Sequence, residues 1–379
     1  MKRPVDSIVT FAELDELLNR VPVLGDIHPL VPVCLSADTQ IITDSRAFVA
    51  QLDDRSTVST QRTLILDDSR ELAQRLPKVV SPEHPPVDAI NRNIEYSLEY
   101  IREHLLTNHK VADAIEDDVV RNQYDVVALL LVDGLGYGDV LDWDVDVQPC
   151  FIDGPSITFH ISSSSKQLLR TVGFPSIIGE PSIIDRLYRL GYHNALGYTY
   201  WKTSHNVVTE YMFRGISNNA VVNFEAILMH LEAAPLVANT YIQIMRQGLD
   251  GLAHSKRELH PHEIASSIEA IWHDVERLIS VLGRKSQLGV LYIVSDHGIL
   301  WKREHAWEIL NQRGSRPRYS TQRLEEHLLD FAVRILCDDV PFYLFSYPYL
   351  GTSIRRNDSG THGGLSYQES IVPFIKVRI

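Results

Sequence analysis

Residues 126–134 read VVALLLVDG, seven apolar side chains in a row stopped by Asp-Gly. A run of that length suits a β-strand, and it lacks the in-out alternation of a strand with one wet face. Its two faces must both be covered, which is the situation of a parallel strand between layers of helices. TYIQIMRQGLDG (240–251) and LGVLYIVSDHG (288–298) repeat the pattern, each passing from apolar residues into a polar loop. Between them, HEIASSIEAIWHDVERLISVLG (262–283) places Ile264, Ile268, Ile271, Val275, Leu278 and Leu282 three and four apart. That spacing predicts one amphipathic helix, ended by Gly283. PFYLFSY (341–347) and IVPFIKV (371–377) predict two more strands. The expected fold is therefore α/β, a mostly parallel central sheet with helices on both faces.

Upstream, residues 1–80 alternate short pieces. FAELDELLNR and SRAFVAQLDD read as helical, and VPVCLS, QIITDS and RTLILD as strands, which together predict a small N-terminal α/β region. VVSPEHPPVD (79–88) holds three prolines, which favour extended backbone and stop helices. The division expected is 1–85 for the small region and 86–379 for the larger domain, entered through an amphipathic helix at NRNIEYSLEYIREHLL.

With 379 residues, 44% hydrophobic and 22% charged, the chain has the composition of a globular protein with a sizeable core. It holds no run of about 18 apolar residues, so no transmembrane helix or membrane association is expected. The first twenty residues start basic but lack an apolar h-region, so secretion is not expected and a cytoplasmic location is. Three scattered cysteines, Cys34, Cys150 and Cys337, suit small buried hydrophobes in a reducing compartment. A net charge of −13 argues against strong nonspecific attraction to nucleic acid or anionic lipid. A nucleotide substrate remains open, because bound cations reverse the local field.

In open α/β sheets ligands gather at the carboxyl ends of the strands. VDGLG puts Asp133 at such an end, LDGLAH puts Asp250 and His254, and VSDHG puts Asp296 and His297. THGG, just before the last strand, adds His362. Any one of these is an ordinary turn or loop residue. Six together, mixing carboxylate oxygen with imidazole nitrogen, suit zinc or manganese. Two ions about 4 Å apart clamp the attacking and leaving oxygens of a phosphoryl transfer, and six ligands divide into two groups of three. Such chemistry calls for a hydroxyl nucleophile soon after Asp133. PCFIDGPSITFHISSSSK (149–166) offers Ser156, Thr158 and four further serines, among which side-chain chemistry alone does not choose.

The order Asp-Gly, Pro-Ser-x-Thr, Asp-x-x-x-His, Ser-Asp-His-Gly, His-Gly-Gly resembles the alkaline phosphatase superfamily. Within it the chain is similar to nucleotide pyrophosphatase/phosphodiesterases and, through THGGLSYQESIVPF, to PglZ-type domains. The resemblance spans residues 122–379. It implies two divalent ions, one held by Asp250, His254 and His362 and the other by Asp133, Asp296 and His297. Thr158 would lie at the second ion and act as nucleophile. The segment from Thr158 to Gly173 is longer than the compact loop of phosphodiesterases. The arginine that grips a monoester has no clear match, although Lys166 and Arg170 lie nearby. That leans toward diesters or anhydrides.

The expected activity is hydrolysis of a phosphoester or phosphoanhydride, on a phosphorylated small molecule or nucleotide. Tyr198, Tyr200 and Trp201 in GYTYWKTSHN are candidates to stack a base, though core or rim packing is the commoner use of aromatics. The loop RGSRPRYS (313–320) reads as solvated, with further phosphate contact as the alternative. The resemblance also leaves a phosphomutase, or a non-catalytic PglZ-type subunit with protein partners in a bacterial anti-phage assembly.

Overall fold

A computed structural model describes residues 5–9, 39–42, 62–66, 102, 106–140, 143–157, 172–200, 207–221, 223–255, 259–302, 307–337, 339–345 and 349–379. In the N-terminal region these include three parallel strands, β1 (Val5–Val9), β2 (Thr39–Ile42) and β3 (Arg62–Leu66), in the order β1-β3-β2. QIITDS and RTLILD thus contain strands as expected, and VDSIV is a third that patterning did not single out. VPVCLS, the two helical stretches and the proline-rich segment lie outside the described residues, as does nearly all of NRNIEYSLEYIREHLL.

The rest of the described chain is built on β4 (Val126–Asp133), β5 (Val147–Phe151), β6 (Asn194–Thr199), β7 (Ser217–Ala220), β8 (Thr240–Gln247) and β9 (Gly289–Ser295). Seven shorter or peripheral strands follow: β10 (Leu300–Trp301), β11 (Glu308–Ile309), β12 (Tyr319–Ser320), β13 (Ala332–Cys337), β14 (Val340–Phe345), β15 (Tyr349–Leu350) and β16 (Gly360–Thr361). The last strand, β17 (Ile371–Arg378), returns to the centre, where the order is β5-β17-β9-β4-β8-β6-β7. Strands β9, β4, β8, β6 and β7 run parallel, and β17 is antiparallel to both β9 and β5. The sheet is mostly parallel, as the apolar runs require.

Side chains of β4 alternate between two cores, which explains the unbroken apolar run. Val127, Leu129 and Leu131 face a core shared with α1 (Val111–Asn122), α2 (Gly173–Ile178), α3 (Ile183–Arg189) and α4 (Val207–Met212). Val126, Ala128, Leu130 and Val132 face a core shared with α5 (Phe224–Ala233) and a long helix at 261–285. Between α5 and that helix lies the one-turn α6 (Asp250–Ala253), so the long helix is α7 (Pro261–Lys285). The start of α7 has Pro261 in its first turn and the Glu263 carboxylate accepting the His260 N–H at 3.1 Å. Ile264, Ile271, Val275, Leu278 and Leu282 are buried. At about 1.5–3 kcal/mol each, that stripe contributes on the order of 10 kcal/mol to holding α7 on the sheet.

Two expectations need correction. The helix does not stop at Gly283 but continues to Lys285. Gly283 keeps helical backbone rather than the left-handed turn that ends a helix, and the position packs beside Ile379. PFYLFSY does not join the central sheet either. It forms β14, the middle of a separate antiparallel sheet, β12-β14-β13. Apolarity predicts that a strand is buried, and it does not say in which sheet.

Candidate metal centre

Strands β9, β4 and β8 are adjacent and in register at their carboxyl ends, with Val132 opposite Ser295 and Asp133 opposite Gln247. Asp133 closes β4, Asp296 follows β9, and Asp250 opens α6 three residues beyond β8. The turns are forced together closely. Gly134 has φ +75°, and a Cβ there would lie 2.8 Å from the Asp250 nitrogen. A Cβ on Gly248 would lie 2.1 Å from the Asp133 carbonyl oxygen. Only glycine permits both the left-handed turn and this approach.

The remaining members arrive by helix geometry and by a strand pair. His254 lies one turn after Asp250, and its Nε2 is 3.3 Å from Asp250 Oδ1. Strand β10 pairs with β16, so the loop carrying Asp296 and His297 runs beside the one carrying His362. Ser359 donates its N–H to the Ala253 carbonyl at 2.8 Å, tying that second loop to α6. His362 Nε2 is 3.4 Å from Asp250 Oδ1, and the His297 and His362 rings stack with centroids 3.8 Å apart. His297 Nε2 is 3.7 Å from Asp133 Oδ1, 3.7 Å from Asp296 Oδ2 and 4.0 Å from Asp250 Oδ1. All six side chains expected as ligands thus meet at one end of the sheet.

The atoms sort into two shells. Each imidazole has its Nδ1 beside an acceptor: Asp358 Oδ2 at 3.2 Å for His254, the Gly298 carbonyl at 3.1 Å for His297 and the Ser156 carbonyl at 2.5 Å for His362. An acceptor there holds a proton on Nδ1 and turns Nε2, the nitrogen a cation would take, toward the aspartates. Two of the aspartates follow the same plan. Asp133 Oδ2 accepts from the Tyr200 hydroxyl at 2.5 Å, and Asp296 Oδ1 accepts from the Gly134 N–H at 3.3 Å. Their other oxygens, Asp133 Oδ1 and Asp296 Oδ2, are buried and accept no hydrogen bond, and neither does Asp250 Oδ1. Outer atoms are held, and inner atoms are bare.

Such an arrangement is costly without a cation. Burial and the Asp250 charge push the Asp133 carboxyl up to about 8, against the hydrogen bond from Tyr200. Burial, with the charges of Asp133 and Asp250, drives Asp296 well above the usual range. Asp250 goes the other way: burial would raise it, but His254 beside it and the charge of His362 hold it low. The nearby Asp250 carboxylate lifts His254 to about 8, against burial. Burial together with the His362 charge lowers His297 to about 3, so its imidazole is neutral and able to donate a lone pair. Two sets of three potential ligand atoms lie within 4.8 Å of one another: Asp250, His254 and His362, and Asp133, Asp250 and His297. The first is the set the resemblance implied. In the second Asp250 stands where Asp296 was expected, with Asp296 3.7 Å from the same imidazole nitrogen.

Other candidates fall unevenly. Thr158, Lys166, Arg170 and Trp201 lie outside the described residues. Tyr198 is buried in the α5–α7 core, with its ring centroid 6.1 Å from that of His230. Tyr200 packs against the opposite core and gives its hydroxyl to Asp133. Cys150 and Cys337 are buried, as expected. The loop at 313–320 is not simply solvated. Arg318 is fully buried and paired with buried Glu369, Nε to Oε1 at 2.9 Å, while Arg316 lines a cavity beside the centre. Glu369 also accepts the Gly364 N–H at 3.0 Å, just past His362. Sequence reasoning missed Asp358 and Glu369. An acidic residue in a polar loop carries no periodic signal, and its partner lies far away in the chain.

The cavity is about 300 Å³ and is lined by Asp250, His254, His362 and Asp358 together with Ile157. No helix among the described residues is long and apolar enough to cross a membrane.

No protein-family model matches the chain, and no curated protein matches it. Among solved structures it is similar to murine ectonucleotide pyrophosphatase/phosphodiesterase 5, with 12% identity over 66% of this chain and 87% of that one and a TM-score of 0.42. The human counterpart gives 13% identity, the same coverage and a TM-score of 0.41. The C-terminal periplasmic domain of EcEptC from Escherichia coli, a complex with Zn, gives 16% identity over 47% of this chain and 64% of that one, with a TM-score of 0.32.

Proposed function

We propose that the chain is a metal-dependent hydrolase of phosphate esters or anhydrides, in the manner of a phosphodiesterase or nucleotide pyrophosphatase, with Thr158 as its nucleophile. One observation carries the reading: three imidazole Nε2 atoms and three buried, unpartnered carboxylate oxygens converge, while the outer atoms of five of the six side chains are held by the protein. That donor set fits divalent zinc or manganese. Asp250, His254 and His362 would hold one ion, and Asp133, Asp296 and His297 the other. Bound there, two ions would supply charge neutralisation for the phosphate and a lowered pKa for a nearby hydroxyl.

The chain's own residues do the rest. The Thr158 hydroxyl loses its proton and bonds to phosphorus as the ester oxygen leaves, and water then releases the phosphate from threonine. Support for Thr158 over Ser156 comes from the two residues before Thr158. Ser156 receives hydrogen bonds from His362 Nδ1 on its carbonyl and from the Gly363 N–H on its hydroxyl, the latter at 2.9 Å. Its hydroxyl is therefore already engaged, and Ile157 lines the cavity.

The test is turnover of bis-p-nitrophenyl phosphate and p-nitrophenyl phosphate by metal-reconstituted protein, with Thr158→Ala alongside. Diester cleavage that vanishes in the variant is the expected result. Near-normal turnover in Thr158→Ala would remove that residue from the nucleophile's role. Silence on both esters from protein carrying two ions per chain would overturn the hydrolase reading, in favour of a phosphomutase or a metal-stabilised subunit.

A further inference from the structure

The cavity lined by Asp250, His254 and His362 has a further wall of Ser315, Arg316, Thr352, Ser353 and Arg355. In a chain of net charge −13, two arginines thus line one cavity together with the carboxylates Asp250 and Asp358. Among the described residues neither guanidinium has a carboxylate partner, whereas Arg186, Arg214 and Arg246 all do.

The wall is one hydrogen-bonded unit rather than two independent loops. Gly351 donates its N–H to the Pro317 carbonyl at 2.8 Å, and Gln312 donates to the Gly351 carbonyl at 2.7 Å. The Ser315 hydroxyl donates to the Gln312 carbonyl at 2.8 Å, and the Arg316 N–H to the Tyr319 carbonyl at 2.8 Å. Buried Arg318 bonds both Glu369 and the Tyr349 carbonyl, so it clamps the two loops to the segment after His362. Arg355 and Asp358 share a turn, closed by the Asp358 N–H on the Arg355 carbonyl at 3.1 Å, and Asp358 holds His254. The arginines are thus fixed to the elements that position the ligand set. Planar guanidinium groups with hydroxyls beside them match the oxygens of a phosphate.

We propose that Arg316 and Arg355, with Thr352 and Ser353, form a subsite for a second phosphate, so that preferred substrates carry a phosphate beyond the one attacked. This rests on the hydrolase reading for what is attacked, but not for what is bound. The second phosphate has two sources of the same chemistry, the next phosphate along a strand or the next in an anhydride chain.

The test is equilibrium binding to metal-reconstituted Thr158→Ala protein, with and without Arg316→Gln/Arg355→Gln. The probes are AMP, adenosine 3′,5′-bisphosphate and α,β-methylene-ADP. At least one bisphosphate should bind about tenfold or more tighter than AMP, and the double substitution should erase that excess while leaving AMP within about twofold. The bisphosphate that gains identifies the source. No excess for either overturns the subsite, and that comparison needs no arginine variant. Equal weakening of AMP and bisphosphate by the double substitution overturns it as well. Arginine-dependent bisphosphate binding without turnover of any ester sinks the hydrolase reading and leaves the subsite standing. Turnover without a bisphosphate preference does the reverse.

Discussion

Asp118, on the α1 face of the sheet, accepts from Asn122 Nδ2 at 2.9 Å, Lys376 Nζ at 2.6 Å, the Tyr124 hydroxyl at 3.2 Å and the Tyr292 hydroxyl. Asp133 and Asp296, at the carboxyl ends of the same sheet, each keep one buried oxygen with no donor at all. Burial pushes all three carboxyls upward. At Asp118 the hydrogen bonds from Lys376 and Tyr292 and the Lys376 charge outweigh it, and the carboxyl stays below its usual range. At Asp133 and Asp296 the neighbouring charges are themselves carboxylates, and they add to it. A polar cluster that serves the fold closes its valences from within. One that serves a ligand leaves them open, and the fold bears the strain.

The contrast can be broken most sharply at Asp296. Asp296→Ala should lose bound metal and roughly 10³-fold or more of turnover, and retention of two ions by elemental analysis would contradict the ligand set. In the metal-free protein Asp296→Asn should leave the melting temperature unchanged or raise it, because it removes one of three crowded carboxylates. Next comes the outer shell. Asp358→Ala should weaken metal binding by about 10- to 100-fold in a chelator competition while the circular dichroism spectrum is kept, since Asp358 orients His254 without facing the centre. Unchanged affinity would show that the His254 ring needs no such support.

Asp118→Asn belongs to the other region and should behave oppositely to Asp296→Asn, destabilising the chain by about 1–3 kcal/mol in urea with metal affinity untouched. The smallest effect is in its pH dependence. Asp118 is held below its usual value of 3.8, so its contribution is complete above about pH 4 and is lost as pH falls through the lower, folded value. The gap in melting temperature between wild type and Asp118→Asn should be flat from about pH 7 to 5 and close below about pH 4. A gap that persisted into strong acid would mean that the charge of Asp118 is not what stabilises it.

Legibility in the sequence followed the same division. Strands β4, β8 and β9 were readable because both their faces are covered, which writes an unbroken apolar run into the chain. That Asp133, Asp250, His254, Asp296, His297 and His362 would gather was readable because the carboxyl ends of adjacent parallel strands lie together. The outer shell was not. Tyr200 looked like a stacking aromatic and donates its hydroxyl to Asp133. Arg318 looked solvated and is buried on Glu369, 51 positions away. Contacts of that kind are set by how loops cross, and nothing in local periodicity encodes them. Strand β14 was legible as a strand but not as a member of the side sheet, for the same reason.

Strand β17 also fixes an order of assembly. Among the described residues of the central sheet β5 pairs with β17, apart from one bridge between Phe151 and Thr107, so residues 147–151 gain most of their backbone partners only with residues 371–378. Closing a loop of that length is slow relative to local helix formation. During synthesis the middle of the sheet can form while β5 is still adrift. The segment that follows β5 carries Thr158, and the segment that precedes β17 carries His362 and Glu369. On the proposed reading, that pairing therefore joins the nucleophile's segment and the His362 segment to aspartates already gathered at the ends of β4, β8 and β9.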